Sequence, residues 1–169
     1  MAKAHSTRSW CSSASNRATR KTAAAGRSSV RRSGVDQALA AAGIARDRIY
    51  VTNAVKHFGF ARGKQRLHQR PTADQIRACK PWLGAELAAL RPQVIVCLGA
   101  SAAHSLIGSR FKISEHRGQR LTTRWAEHLV ATHHPAAILR VDPGDRPRYE
   151  AELRADLALA RGMLEAGQR

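Results

Sequence analysis

The chain has 169 residues and a formal net charge of +17, from 29 Lys and Arg against 12 Asp and Glu. This excess of positive charge indicates a polyanionic partner, of which nucleic acid is the first candidate. No apolar run is long enough to span a bilayer, and the basic N-terminus lacks the apolar segment of a secretory signal. Three cysteines do not form a disulfide framework, so we expect a cytoplasmic protein that does not bind membranes.

The positive charge is concentrated near the N-terminus. Residues 1–35 contain eight Lys and Arg and no acid, whereas the 21 basic and 12 acidic residues from position 36 onward leave a net charge of +9. The first segment is rich in Ser, Arg, Ala and Thr and has no periodic apolar pattern, which predicts disorder. We therefore divide the chain into a basic segment, residues 1–34, and a folded domain, residues 35–169.

The first half of the folded domain begins with a helix and a strand. Residues 35–44 predict a short amphipathic helix, and residues 48–55 form an apolar run typical of a strand buried on both faces. After a basic loop, Thr72 and Gln75 have the spacing of a capping box, which predicts the start of a long helix. Pro81 is expected to kink or split that helix.

The second half continues the alternation of strands and helices. Strands are predicted at residues 93–100 and 127–135, with weaker candidates around 111–113 and 121–123, and a closing helix is predicted at residues 146–165. The pattern predicts an α/β fold, a three-layer sandwich around a short, mostly parallel central sheet. Ligands of such sheets bind at the carboxyl ends of the strands, which here carry Asn53, Gly99 and the His133–His134–Pro135 corner.

His68 lies in a loop that also carries Arg62, Lys64, Arg66 and Arg70. Neighbouring cations disfavour a protonated imidazole, so His68 should be neutral near pH 7 and should have a nitrogen lone pair available. A solvated basic loop with an incidental histidine is the alternative, because charge runs are usually exposed surface.

Five segments occur in an order and spacing that resemble the uracil-DNA glycosylase superfamily: "VTNAVKHF", "GKQRLH", "ACKPWL", "VIVCLGA" and "HHPAAILR". The resemblance covers residues 36–165 and is strongest to the family-4-like group of the UdgX type, whose members become covalently attached to uracil-containing DNA. Residues 64–68, Lys-Gln-Arg-Leu-His, occupy the family's Lys-Arg-Arg-Ile-His position with one Arg replaced by Gln.

The resemblance implies a chemistry for the loop histidine. A glycosylase of this superfamily flips the uridine out of the base stack and cleaves its N-glycosidic bond through an oxocarbenium-like sugar. In the UdgX type the loop histidine captures that sugar, which assigns His68 as the attacking group. The alternative is ordinary family-4 excision, in which water captures the sugar and His68 has no catalytic part.

Further roles follow by position from the same resemblance. His134 is expected to stabilise negative charge that develops on the uracil oxygen, as an oxyanion hole does. Asn53 is expected to hydrogen-bond the uracil edge. The remaining substrate contacts are expected from cationic side chains, of which Arg140 approaches a DNA phosphate: Lys56, Lys64, Arg66 and Arg140.

Family-4 relatives hold a [4Fe–4S] cluster with thiolates, two of which come from a Cys-x-x-Cys near the N-terminus. Cys79 matches one expected ligand, and no Cys-x-x-Cys occurs in this chain. We therefore expect that the chain as written does not assemble the cluster.

The N-terminal 34 residues lack the expected first core strand, the acidic motif Gly-Glu-Gln-Pro-Gly-Asp-Gln-Glu-Asp and the Pro-Phe-Val-Gly-Pro-Ala-Gly motif. GC-rich codons for residues 10–22, read two bases later, give VLVGEQPGDQED, which supplies the missing strand and acidic motif. In this shifted reading, the second and third bases of each codon are the first two bases of an original codon, so they follow from the amino-acid sequence and only one base in three is a free choice. We therefore interpret residues 1–34 as an out-of-frame translation.

Two alternatives to a working enzyme stay open. The resemblance implies that the Glu of the acidic motif activates water or stabilises charge and that the Phe of the second motif stacks on uracil. Without these residues and the first core strand, this chain is expected to be impaired, and it then resembles a non-catalytic DNA-binding remnant. An RNA-binding or ribosome-associated basic protein also fits the charge, although it gives no reason for Asn53, His68 and His134. Nothing in the sequence indicates an oligomer, so we expect a monomer.

Overall fold

The computed structural model describes residues 10–13, 33–56 and 71–167, and for residues 10–13 it describes the backbone. In this part of the chain, five strands form one sheet: β1 (Trp10–Ser13), β2 (Tyr50–Thr52), β3 (Val94–Leu98), β4 (Leu121–Thr123) and β5 (Ala126–Thr132). The helices are α1 (Ser33–Ala41), α2 (Ala73–Leu90), α3 (Ala100–Leu106), α4 (Ile113–His116), α5 (Pro135–Ile138) and α6 (Arg146–Ala166), with a 3₁₀ turn at Arg46–Arg48.

The sheet is mostly parallel, with the strand order β2-β1-β3-β5-β4. β1 pairs in parallel with β2 and β3, and β3 pairs in parallel with β5. β4 lies at one edge and pairs with β5 in the antiparallel direction. The predicted fold class, an α/β sandwich around a short and mostly parallel sheet, is therefore confirmed.

Helices cover both faces of the sheet, and the side chains of β3 alternate between two hydrophobic clusters. Val94, Val96 and Leu98 pack with residues of α1 and α6 on one face. Ile95 and Cys97 pack with residues of α2 and α3 on the other face. Every residue of β3 is buried, as expected for the centre of a three-layer sandwich. In the described part of the chain, no helix is long and apolar enough to cross a membrane.

The expectation that the first core strand is missing is wrong. Trp10–Ser13 occupies the place between β2 and β3, with Cys11 opposite both Tyr50 and Ile95. A parallel strand requires only backbone N–H and C=O groups, which any residue except proline supplies in full, so a short segment without an apolar run can fill that place. β1 lies within residues 1–34, and the domain boundary at residue 34 stays a prediction.

Two local predictions also differ from the structure. α2 runs unbroken from Ala73 to Leu90 through Pro81, so the helix is not split. Pro81 removes the donor for the carbonyl of Arg77, but both residues are exposed and water can satisfy that carbonyl. Residues 111–113 form no strand, because Ile113 begins α4, whose turn is closed by a bond from Arg117 N to Ile113 O of 2.9 Å.

The capping box at the start of α2 is confirmed. Gln75 N donates to Thr72 Oγ1 at 3.2 Å, and Thr72 N donates to Gln75 Oε1 at 3.0 Å. These reciprocal bonds satisfy two backbone N–H donors with side-chain oxygen acceptors at the end of the basic loop. They therefore define where the chain enters the helix that carries Cys79 and Glu86.

Two helical glycines give a matched test of this packing. A Cβ at Gly84 in α2 would lie 2.7 Å from Cη2 of Trp125, whereas a Cβ at Gly162 in α6 would meet nothing within 4 Å. We expect Gly84→Ala to lower the free energy of unfolding by about 1–3 kcal/mol through overpacking. We expect Gly162→Ala to raise it by about 0.5–1 kcal/mol because alanine loses less backbone entropy on folding. Urea denaturation of both variants measures the difference, and equal effects would contradict the packing of α2 on Trp125.

Candidate functional site

Three parallel strands of the described sheet bring the predicted site residues to one edge. β2 is followed directly by Asn53, β3 by Gly99, and β5 by His133 and His134. Gly99 N donates to Thr132 O at 2.9 Å, which joins the ends of β3 and β5. This carboxyl edge is where ligands bind in parallel α/β sheets.

Gly99 and His134 are in close contact at this edge. Gly99 has a φ of +85°, and a Cβ on it would lie 3.0 Å from Cβ of His134. A side chain at position 99 would therefore be strained by its backbone angle and would push against His134. The glycine allows the chain to turn from β3 into α3 beneath the histidine.

His134 is the N-cap of α5, and its hydrogen bond defines the state of its ring. Nδ1 of His134 accepts a hydrogen bond from Ala136 N at 3.0 Å. The neutral ring assigned from this bond carries its proton on Nε2, so Nε2 is a hydrogen-bond donor. Burial lowers the pKa of His134 below the ordinary value of 6.5, and the positive charge of Arg140 lowers that pKa further. The neutral form is therefore favoured near pH 7.

Arg140 and Leu139 extend from the corner that follows His134. Both residues are exposed, and the Leu139 residue is 67% exposed, the largest exposed fraction among the large apolar residues that the structure describes. Arg140 N donates to Ala137 O at 2.9 Å, so Arg140 lies in the turn that directly follows α5. The corner thus places a cation near the histidine and an exposed apolar side chain next to that cation in the chain. The exposure of Leu139 was not predicted from sequence, where a leucine next to Ile138 resembles a core residue.

Asn53 lies on the same edge but not next to His134. It is half-buried at the end of β2, and β1 and β3 lie between β2 and β5. Three strand spacings separate the two backbones by about 14 Å. The structure therefore places Asn53 and His134 at the same edge of the sheet, with the ends of β1 and β3 between them.

Lys56 already has a partner in the structure. Its Nζ lies 2.6 Å from Glu86 Oε2 and 2.6 Å from Thr52 Oγ1. The hydroxyl of Thr52 in turn donates to the same Glu86 oxygen at 2.7 Å. The expected contact of Lys56 with substrate stays a prediction, and it would have to compete with this ion pair.

Cys79 is buried in α2, and its Sγ accepts a hydrogen bond from Lys56 N at 3.3 Å. A four-thiolate [4Fe–4S] cluster needs more cysteines than the three in the printed sequence. Within residues 33–56 and 71–167, no group of three or more His, Cys, Asp or Glu side chains could hold a metal ion. The residues present therefore do not fit the cluster, and no chemical step below is derived from it.

The loop residues predicted to take part lie outside the described residues. His68, Lys64 and Arg66 fall within residues 57–70, so their expected roles stay predictions. His133, to which the sequence analysis assigns no role, has its Nε2 2.9 Å from Glu152 Oε2. No local sequence signal connects these two residues, because 19 positions separate them.

Comparison with known proteins identifies the family of this chain. A sequence model described as "Uracil DNA glycosylase superfamily" matches residues 19–158, which include β2 to β5. The Type-4 uracil-DNA glycosylase of Archaeoglobus fulgidus is 33% identical over 123 residues, covering 69% of this chain and 58% of that protein. The Type-4 uracil-DNA glycosylase of Pyrobaculum aerophilum is 31% identical over 130 residues, covering 73% of this chain and 61% of that protein.

A Type-4 uracil-DNA glycosylase of Thermotoga maritima is also similar, with 30% identity over 118 residues, 68% of this chain and 58% of that protein. The chain thus spans about three fifths of the length of these curated relatives. Since the family match covers most of the sequence and all of the carboxyl edge formed by β2, β3 and β5, the chain belongs to the uracil DNA glycosylase superfamily.

Proposed function

We propose that this chain is a uracil-DNA glycosylase that acts as a monomer in the cytoplasm and removes uracil from DNA in base excision repair. One observation carries the proposal. His134, a half-buried neutral histidine whose Nε2 is a donor, lies at the carboxyl edge of the sheet that also holds Asn53. The relatives named Type-4 uracil-DNA glycosylase support the same activity.

The proposed reaction begins when the uridine is flipped out of the base stack, since the glycosidic bond cannot be reached inside a duplex. The bond between C1′ of the sugar and N1 of uracil then breaks, and its electron pair moves to the base. Negative charge develops on a uracil oxygen, to which Nε2–H of His134 donates. Asn53, which lies across the carboxyl edge of the sheet from His134, hydrogen-bonds the uracil ring. The interval of about 14 Å between the two backbones leaves room for both side chains and a pyrimidine.

The corner after His134 supports binding of a DNA strand. Arg140 is exposed beside the histidine and would contact a phosphate, which positions the strand without reading its sequence. Leu139, which is 67% exposed, is suited to fill the space that a flipped base leaves in the stack. The net charge of +9 over residues 36–169 favours DNA independently of the basic segment.

Covalent capture is the second part of the proposal. After bond cleavage the sugar is an electrophile at C1′, and either water or an imidazole nitrogen can form the new bond there. We propose that His68 forms a bond between its ring nitrogen and C1′, as the resemblance to the UdgX type implies. The cationic residues Lys64 and Arg66 keep the imidazole neutral and attract the phosphates on either side of the sugar.

We also propose that residues 1–34 are an out-of-frame translation and that the chain as printed is impaired for this reason. The support is the motif VLVGEQPGDQED that appears when plausible codons for residues 10–22 are read two bases later. The printed chain would then lack the acid that activates water or stabilises charge. It would retain His134, Asn53 and the basic loop, and so DNA binding should be less affected than excision.

Sequencing the coding DNA from codon 1 to codon 40 tests the out-of-frame proposal. We expect one or two bases to be missing or added near both ends of that window. A confirmed printed frame would contradict the proposal, and the acid would then be absent from the encoded protein.

The assay for excision and capture is a denaturing gel with uracil-containing single-stranded DNA. We expect a band shift that survives denaturant and that His68→Ala abolishes, leaving alkali-labile sites in its place. The matched control His128→Gln changes a histidine opposite Val94, at the other end of β5, and should keep the shift. The same oligonucleotide with thymine should give no product.

The remaining outcomes of that gel are distinct. Alkali-labile breakage without a surviving shift in the wild-type chain would mean ordinary excision and would overturn capture by His68. Binding that salt removes, with neither breakage nor shift even when the acidic motif is restored in frame, would overturn the enzyme and favour the DNA-binding remnant.

The lowered pKa of His134 predicts a dependence of stability on pH. The unfolded state binds a proton with the ordinary pKa of 6.5, above that of the folded state, so the stability that neutral His134 contributes is complete above pH 6.5. It is lost as the pH falls from 6.5 through the folded pKa. His134→Asn keeps an oxygen that can cap α5 and removes the titration. Between about pH 7.5 and about pH 5, urea denaturation should show a larger loss of stability for the wild-type chain than for His134→Asn. Parallel losses would contradict the lowered pKa.

A further inference from the structure

A network of charged side chains packs against the end of β5, just before the carboxyl edge. Arg117 Nη1 donates to both oxygens of Asp156 at 2.9 Å, and Arg117 Nε lies 3.1 Å from Glu152 Oε2. The side chain of Asp156 is 5% exposed, and those of Arg117 and Glu152 are 27% and 22% exposed. We call Arg117, Glu152 and Asp156 the α6 network, because α6 supplies both acids.

The α6 network binds the two residues that precede His134. Thr132 Oγ1 donates to Asp156 Oδ2 at 2.6 Å, and Nε2 of His133 lies 2.9 Å from Glu152 Oε2. The His133 ring also packs edge-on against Tyr149, with 4.7 Å between ring centroids. Tyr149, Glu152 and Asp156 recur at spacings of three and four residues, so they form one face of α6.

Arg117 reaches this face because the turn beside it lies against the end of β5. Gly118 N donates to Ala131 O at 3.1 Å, and a Cβ on Gly118 would overlap Oδ1 of Asp156. Gly118 has a φ of +66°, which glycine adopts without strain. The turn therefore fits only when residue 118 has no side chain, and it carries the guanidinium to both acids.

Stability alone does not account for so many charges at this place. A buried ion pair loses hydration, and well-packed apolar residues of similar volume are often as stabilising or more so. What hydrogen bonds add is direction, because each donor meets one acceptor within a narrow range of distances and angles. Here the bonds define where the Thr132 hydroxyl and the His133 ring lie, and His134 is the next residue in the chain.

We propose that Arg117, Glu152 and Asp156 are positioning residues that act through Thr132 and His133 to direct the ring of His134 toward the substrate. The proposal rests on the glycosylase function proposed above. Gly99 limits the position of His134 from the side of β3, and the α6 network limits it from the side of α6. Without the network, the ring would sample positions in which Nε2 does not meet the developing oxyanion.

A double-mutant cycle with Glu152→Ala and His134→Asn tests the proposal, with single-turnover excision of uracil and binding of uracil-containing DNA as readouts. Misplacement of a reacting group by 1 Å can cost about 100-fold in rate, so we expect Glu152→Ala to lower the rate by about 10- to 100-fold with little change in Kd. In the His134→Asn background the same change should lower the rate by less than about twofold, because the group on which it acts is absent. Equal factors in both backgrounds would overturn the proposal, since a loss of folded protein acts on both alike.

Two further variants separate the effect of the Glu152 hydrogen bonds from the effects of negative charge and of helix stability. Glu152→Gln keeps an oxygen that can accept from His133 and Arg117, and it should stay within about threefold of the wild-type rate. Glu165→Ala removes an exposed acid paired with Arg161 on the same helix, and its rate should not change. If Glu152→Ala does not fold, Tyr149→Leu replaces it in the cycle because it removes the ring contact with His133. A Glu152→Gln variant as slow as Glu152→Ala would contradict positioning by this hydrogen bond.

The tautomer of His134, measured by ¹⁵N NMR of the free protein, tests the positioning without any activity. We expect the Nε2–H tautomer in the wild-type chain and a mixture of tautomers in Glu152→Ala. An unchanged tautomer and unchanged ring shifts in Glu152→Ala would overturn the positioning role. A wild-type chain that excises nothing but shows the expected change in tautomer would instead overturn the proposed function and leave the positioning intact.

Discussion

The parallel pairing of β3 with β5 is the constraint on which the rest of this site depends. Its register runs from Val94 opposite His128 to Leu98 opposite Thr132, so both strands end at the same level. The next residues, Gly99 and His133–His134, are therefore neighbours before any side chain is considered. Because β3 is buried along its whole length, its register cannot shift without moving Ile95 and Cys97 from one hydrophobic cluster to the other. The position of His134 thus depends first on the packing of the sheet.

Once the backbone is in place, three separate features act on the His134 ring. The N–H of Ala136 occupies Nδ1, burial and Arg140 lower the pKa, and Gly99 lies against Cβ. A charged imidazolium would lose the first of these bonds and would lie near another cation. The site therefore holds a neutral donor where negative charge develops in the proposed reaction, and no metal or cluster is needed to produce that donor state. The α6 network extends the same preorganisation to the preceding residues of β5.

Several elements of the fold were predictable because their signals are local. The capping box at Thr72, the buried run of β3 and the closing helix α6 each depend on residues within one element. Predictions failed where a local pattern was weak or where tertiary contacts overrode it. Pro81 lies on the exposed face of α2 and is tolerated, and Trp10–Ser13 forms a strand without an apolar run because β2 and β3 provide backbone partners on both sides. Neither fact can be read from the segment itself.

The sequence by itself determined the fold class and the superfamily, and it located a histidine at the HP corner after β5. These properties follow from patterns of residue type and from short motifs, which can be recognised in the sequence alone. Only the tertiary structure decided that Lys56 is paired with Glu86, that Leu139 is exposed beside Arg140, and that Glu152 and Asp156 bind the residues before His134. The reason is physical: such contacts join side chains 19 to 30 positions apart, and their distances are set by how helices pack on the sheet.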